Sequence, residues 1–124
     1  MQTHIKILLN QINIQFSQNY QDRLSQIILF GSQARNEAEP DSDIDILVVL
    51  KGEINPVQEI KKNNPWIAEM CLETDELINC IYLSEEQYHH QNTPLIRNIK
   101  TEGIMTGLRQ ISDLYALIWL TFPG

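Results

Sequence analysis

The segment LFGSQARNEAEPDSDIDILVVL, residues 29–50, sets the tightest constraint on what this chain folds into. An apolar run, QIILF, closes at Gly31-Ser32, and a second extends from Ile44 to Leu50 with Asp43 and Asp45 at its start. The first run is short and rich in β-branched residues, which predicts a buried strand. The second is apolar at odd and even positions alike, the pattern of a strand covered on both faces. Side chains alternate along a strand, so Asp43 and Asp45 belong to one face and Ile44 and Ile46 to the other. Two carboxylates therefore converge where a polar connection ends and a buried strand begins.

The rest of the chain supplies helices to cover such a sheet. Residues 4–24 carry Ile5, Leu8, Leu9, Ile12, Phe16 and Tyr20 at three- and four-residue spacings, which predicts an amphipathic helix. Asn55-Pro56 is a helix start signal, and Pro65 is expected to divide residues 55–76 into two helical pieces. LINCIYLS, residues 77–84, predicts a third strand, with Ser84 capping the helix after it. Thr93-Pro94 opens a further helix through LIRNIKTEGI. This order predicts an α/β (α+β) fold, a small mixed β-sheet flanked by helices.

A chain of 124 residues supports one hydrophobic core, and its 43% hydrophobic and 20% charged composition is that of a folded globular domain. Residues 1–104 are expected to form that domain, with 105–124 an apolar C-terminal segment that either packs as a last helix or binds a partner. The apolar stretch is shorter than the roughly 20 residues of a membrane span, so no membrane association is expected. A formal net charge of -7 disfavours direct nucleic-acid binding, which depends on Lys and Arg replacing counterions around phosphates. It suits a basic protein partner better. The N-terminus lacks the basic and apolar regions of a secretory signal, which points to a cytoplasmic location. Cys71 and Cys80 fit no zinc or redox spacing and are expected to be buried free thiols.

Two unpaired carboxylates sharing one strand face repel each other, and a divalent cation resolves the conflict. Oxygen ligands suit a hard ion, Mg²⁺ with Mn²⁺ nearly as acceptable, that shares its shell with phosphates. Gly31 supplies a backbone without Cβ, which lets a phosphate approach closely or the chain take a positive φ. If SQARNE begins a short helix, Ser32 is its cap and the N–H groups behind it form an anion site. Arg35, one turn further, adds positive charge there.

An apolar run, Gly-Ser, ten residues, Asp-Ile-Asp and a second apolar run resemble the signature of the DNA polymerase β-like nucleotidyltransferase superfamily. More narrowly, the chain is similar to the minimal nucleotidyltransferases, small proteins encoded beside HEPN-domain partners. The resemblance covers about residues 25–104, and its specific part is GSQARNEAEPDSDID. It implies a polymerase β palm-like fold in which Gly31 and Ser32 hold the nucleotide's β- and γ-phosphates, and Asp43 and Asp45 bind the metal ions that activate the α-phosphate. The implied reaction moves AMP from ATP to a hydroxyl of a HEPN-type toxin, so that the protein acts as its antitoxin. The superfamily usually carries a third carboxylate on the following strand, where this chain reads INCIY with Asn79. Asp75, just before that strand, is the substitute candidate beside Glu73 and Glu76. Two other readings stay open: a catalytically weak or inactive module that neutralises its partner by binding, and an aminoglycoside-type small-molecule nucleotidyltransferase.

Other features carry less. His89 and His90 are adjacent on a helix, lack an i, i+4 partner and are expected at the surface. Trp66 is expected to be a core or interface anchor, and EIKK, residues 59–62, a solvated helix face.

Overall fold

The structure, a computed structural model, describes residues 2–37 and 42–106. Helix α1 (Thr3–Tyr20) leads through a 3₁₀ turn into strand β1 (Leu24–Phe30) and the single-turn helix α2 (Gly31–Ala34). Strand β2 (Ile44–Leu50), helix α3 (Pro56–Thr74) and strand β3 (Ile78–Ser84) follow. Helices α4 (Glu85–His90) and α5 (Pro94–Glu102) precede a two-residue strand, β4 (Ile104–Met105).

The four strands form one mixed sheet in the order β3-β2-β1-β4. Strand β1 runs antiparallel to β2 and to β4, while β2 and β3 are parallel. The parallel pair requires a crossover, which α3 supplies. Ile27, Leu29, Ile44, Ile46 and Val48 pack on α1 and α3 through Ile5, Leu8, Ile12, Phe16 and Ile67. Ile28, Leu47 and Val49 pack on α4 and α5 through Tyr88, Ile96 and Ile99. Strand β2 is thus covered on both faces, which explains its unbroken apolar sequence. No helix among the described residues is long and apolar enough to cross a membrane.

The helix starts follow local chemistry. Asn55 accepts from the backbone N–H of Val57 and Gln58, Thr93 from Ile96, and Ser84 closes a reciprocal capping box with Gln87. Each such cap contributes about 1 kcal/mol.

Two expectations fail here. Pro65 does not divide its helix: α3 runs unbroken from Pro56 to Thr74. The proline lies on the exposed side, while Asn63, Trp66 and Ile67 bury the opposite stripe against α1 and the sheet, and this packing outweighs one missing backbone bond. Nor is EIKK a solvated face throughout. Glu59 is only 7% exposed and accepts a 2.9 Å hydrogen bond from the Tyr20 hydroxyl. Asn63 donates to that hydroxyl at 2.7 Å, Trp66 Nε1 donates to Asn63, and Lys62 Nζ lies 4.4 Å above the Tyr20 ring. A buried polar network therefore ties the end of α1 to α3.

Trp66 also meets Phe16 edge-on in the core, while His89 and His90 are exposed. Cys71 and Cys80 are free and partly buried against the core on the α1/α3 side. Ile104 and Met105 pair with Leu29 and Ile28, so the sheet gains an edge strand that the sequence pattern does not announce. Residues 107–124, and with them most of the apolar C-terminal segment, lie outside the described residues.

Candidate active site

Register fixes the site. Phe30, Asp45 and Asn79 form one row across β1, β2 and β3. Their face is the one that buries Leu47 and Val49, and it runs out at this end, leaving Asp43 and Asp45 half-buried at its rim. Both carboxylates converge on a third side chain. Asn79 Nδ2 donates to Asp43 Oδ2 at 2.9 Å and to Asp45 Oδ1 at 3.3 Å.

Gly31 borders the pair from β1. Its φ of 75° lies in the left-handed region, and a β-carbon built there would stand 2.5 Å from Asp45 Oδ2. Only glycine serves at this position, because backbone and carboxylate meet where a side chain would go. The chain then turns through α2, whose first N–H groups have no intrahelical partner. Ser32 is inside this turn rather than its cap; Phe30 occupies the cap position and makes no side-chain bond there. The anion-binding expectation therefore rests on backbone N–H groups and the Ser32 hydroxyl, since one turn of four residues develops little dipole.

Arg35 follows α2 and is held by two carboxylates, Glu37 at 3.1 Å and Glu102 at 3.4 Å. These hydrogen bonds, Glu37's first, raise the guanidinium further above its already high pKa. The contact with Glu102 joins α2 to α5 across a cleft of about 200 Å³ lined by Phe30, Gly31, Leu95, Asn98 and Ile99. A larger cavity, about 280 Å³, lies between α1 and the α3–β3 turn, lined in part by His4 and Glu76, whose Nε2 and Oε1 are 3.3 Å apart. Neither aspartate lines either opening, but the smaller cleft shares Gly31 with the aspartate pair, since Gly31 lies against Asp45.

Asp75 ends α3 in a left-handed conformation and is exposed. It stands at the sheet end that carries Asp43, since Ile44 N–H bonds the carbonyl of Leu77, but no hydrogen bond joins its side chain to either aspartate. Asn98 and Glu102 escaped the sequence reading. Their signal was present in α5, where residues 95, 98, 99 and 102 form one stripe at helical spacing.

The donor set suits a hard divalent cation: two carboxylates at a rim, with a glycine backbone against one of them. Among the described residues no group of three or more His, Cys, Asp or Glu side chains is placed to hold a metal ion. Asp43 and Asp45 are the two carboxylates that converge on Asn79 at this rim.

The mixed sheet thus sets a glycine turn at the end of one strand against paired aspartates at the start of the next. The sequence model of the nucleotidyltransferase domain matches residues 9–105, and the chain belongs to that family. A Methanocaldococcus jannaschii protein named for a protein adenylyltransferase activity is 35% identical over 85 residues, covering 68% of this chain and 79% of the relative. Among solved structures, a toxin-antitoxin with AMP-PNP aligns with a TM-score of 0.58 at 20% identity, over 90% of this chain and 82% of the other. A tri-AMPylated Shewanella oneidensis HEPN toxin in complex with its minimal nucleotidyltransferase antitoxin aligns with a TM-score of 0.54 at 19% identity, over 93% and 82%. At these identities the structural likeness establishes the fold, which agrees with the palm-like architecture expected from the sequence.

Proposed function

We propose that this protein transfers AMP from ATP to a hydroxyl of a HEPN-type toxin partner and so acts as its antitoxin in the cytoplasm. The observation that carries this reading is the convergence of Asp43 and Asp45 beside the Gly31 backbone. The similarity to a relative named for protein adenylyltransferase activity supports the acceptor class, and the fold shared with toxin-antitoxin complexes supports the partner.

In this reading Gly31 and Ser32 present backbone N–H groups and a hydroxyl to the β- and γ-phosphates. Arg35 exchanges a carboxylate partner for phosphate oxygen, a charge-assisted contact of the same kind. Asp43 and Asp45 would hold Mg²⁺ or Mn²⁺, which would supply positive charge to the phosphates. The acceptor oxygen forms a bond to the α-phosphorus, the bond to pyrophosphate breaks, and the hydroxyl proton passes to a base. Asp75 is the candidate for that base, from the same end of the sheet.

A second reading has its own support in the two-carboxylate donor set. With Asn79 where a third carboxylate would complete the site, the chain would neutralise its partner by contact alone. Intact mass spectrometry of the HEPN partner, incubated with this protein, ATP and Mg²⁺, separates the two. One or more AMP additions that vanish with Asp43→Ala support the enzyme; an unmodified partner in a stable complex supports the binding module.

A further inference from the structure

Asn79 does more than stand in an acidic position. We propose that it makes the Asp43–Asp45 pair a site for a single divalent cation, acting as a positioning residue; this rests on the nucleotidyltransferase reading of the pair. Its amide nitrogen binds one oxygen of each carboxylate, Asp43 Oδ2 and Asp45 Oδ1, leaving one oxygen of each for an ion. On Asp45 the remaining oxygen, Oδ2, is the one turned toward Gly31. The amide thus orients the pair toward the glycine backbone while offsetting part of its mutual repulsion.

The same contact limits the stoichiometry. Two ions a few ångströms apart require ligands that bridge or flank both. Here the group that bridges the two aspartates is a neutral amide in place of a third carboxylate, so the pair presents two negative charges in all. No third carboxylate, histidine or cysteine joins the pair among the described residues. One divalent ion balances two carboxylates in charge.

The test is a Mn²⁺ titration of the full chain without nucleotide, with free Mn²⁺ followed by electron paramagnetic resonance. The native chain is expected to bind one Mn²⁺. Asn79→Asp, which replaces the donor by a ligand of nearly the same shape, is expected to bind two. Asn79→Ala, which removes the donor and adds no ligand, is expected to keep one ion at roughly 10- to 100-fold lower affinity, the usual loss when a partner of a metal ligand is removed. A folded state indistinguishable by circular dichroism accompanies each comparison. Two ions on the native chain, one ion on Asn79→Asp, or unchanged affinity in Asn79→Ala overturns the proposal. If the native chain binds two ions and still adds AMP to its partner, only this inference fails. If it binds no ion and modifies nothing, the functional reading fails with it.

Discussion

Gly31 and Asp45 approach so closely that a β-carbon on the glycine would lie 2.5 Å from the aspartate's Oδ2. Gly31→Ala must therefore displace a proposed metal ligand and also accept a φ of 75°. The backbone alone costs about 1–2 kcal/mol. Urea unfolding is expected to show that loss, and calorimetry to show nucleotide binding weakened by more than the stability change accounts for.

Asp45→Asn is expected to separate stability from function. It removes one of two like charges, so the metal-free chain should melt at the same temperature or higher, with a gain of up to about 1 kcal/mol. Partner modification should disappear. A large drop in melting temperature would show that the carboxylate serves the fold.

Tyr20→Phe leaves the buried Glu59 carboxylate without its hydroxyl donor and removes one of the two acceptors of the Asn63 amide, which keeps the Glu59 carbonyl. A loss of about 1–3 kcal/mol is expected by urea unfolding. Adding Glu59→Gln should recover part of it, since a neutral amide tolerates the site better than an unpaired carboxylate.

Stability should fall in alkali. Burial, with smaller opposed effects from Asn63 and Glu59, pushes Tyr20 up from 10.0 to about 12, and burial pushes the Cys80 thiol up from 9.0 to about 12. Burial raises Tyr82 as well. Above pH 9 the unfolded chain releases protons that the folded chain retains, so unfolding is favoured progressively until the folded groups titrate near 12. Urea midpoints should be level from pH 7 to 9 and decline beyond, less steeply in Tyr20→Phe.

Pro65→Ala should stabilise the chain by about 1–3 kcal/mol, because it restores a backbone donor in the interior of an unbroken helix at an exposed position. An unchanged urea midpoint would mean that the local backbone of α3 cannot take up the new bond.

What the sequence disclosed follows the range of the interaction. The apolar runs of β1 and β2, the caps at Asn55, Ser84 and Thr93, and the shared face of Asp43 and Asp45 are local patterns and were legible. Glu59 reads as a surface residue in the sequence because its partner, Tyr20, is 39 positions away. Strand β4 is two residues long and exists through pairing with β1, so no periodicity marks it. Asn79 shows in the sequence as a missing charge, while its bridge between the aspartates depends on the β2–β3 register. Pro65 misleads because a helix-breaking signal is local and the packing that overrides it is not.

The bridge from Asn79 to Asp43 spans 36 positions and closes only when β2 and β3 are paired in parallel. Parallel pairing is a late, non-local event compared with the formation of α1 or α3. The proposed affinity for Mn²⁺ would therefore serve as a clock for folding: a refolding chain should regain helical signal first and metal affinity afterwards, once the crossover through α3 has seated β3.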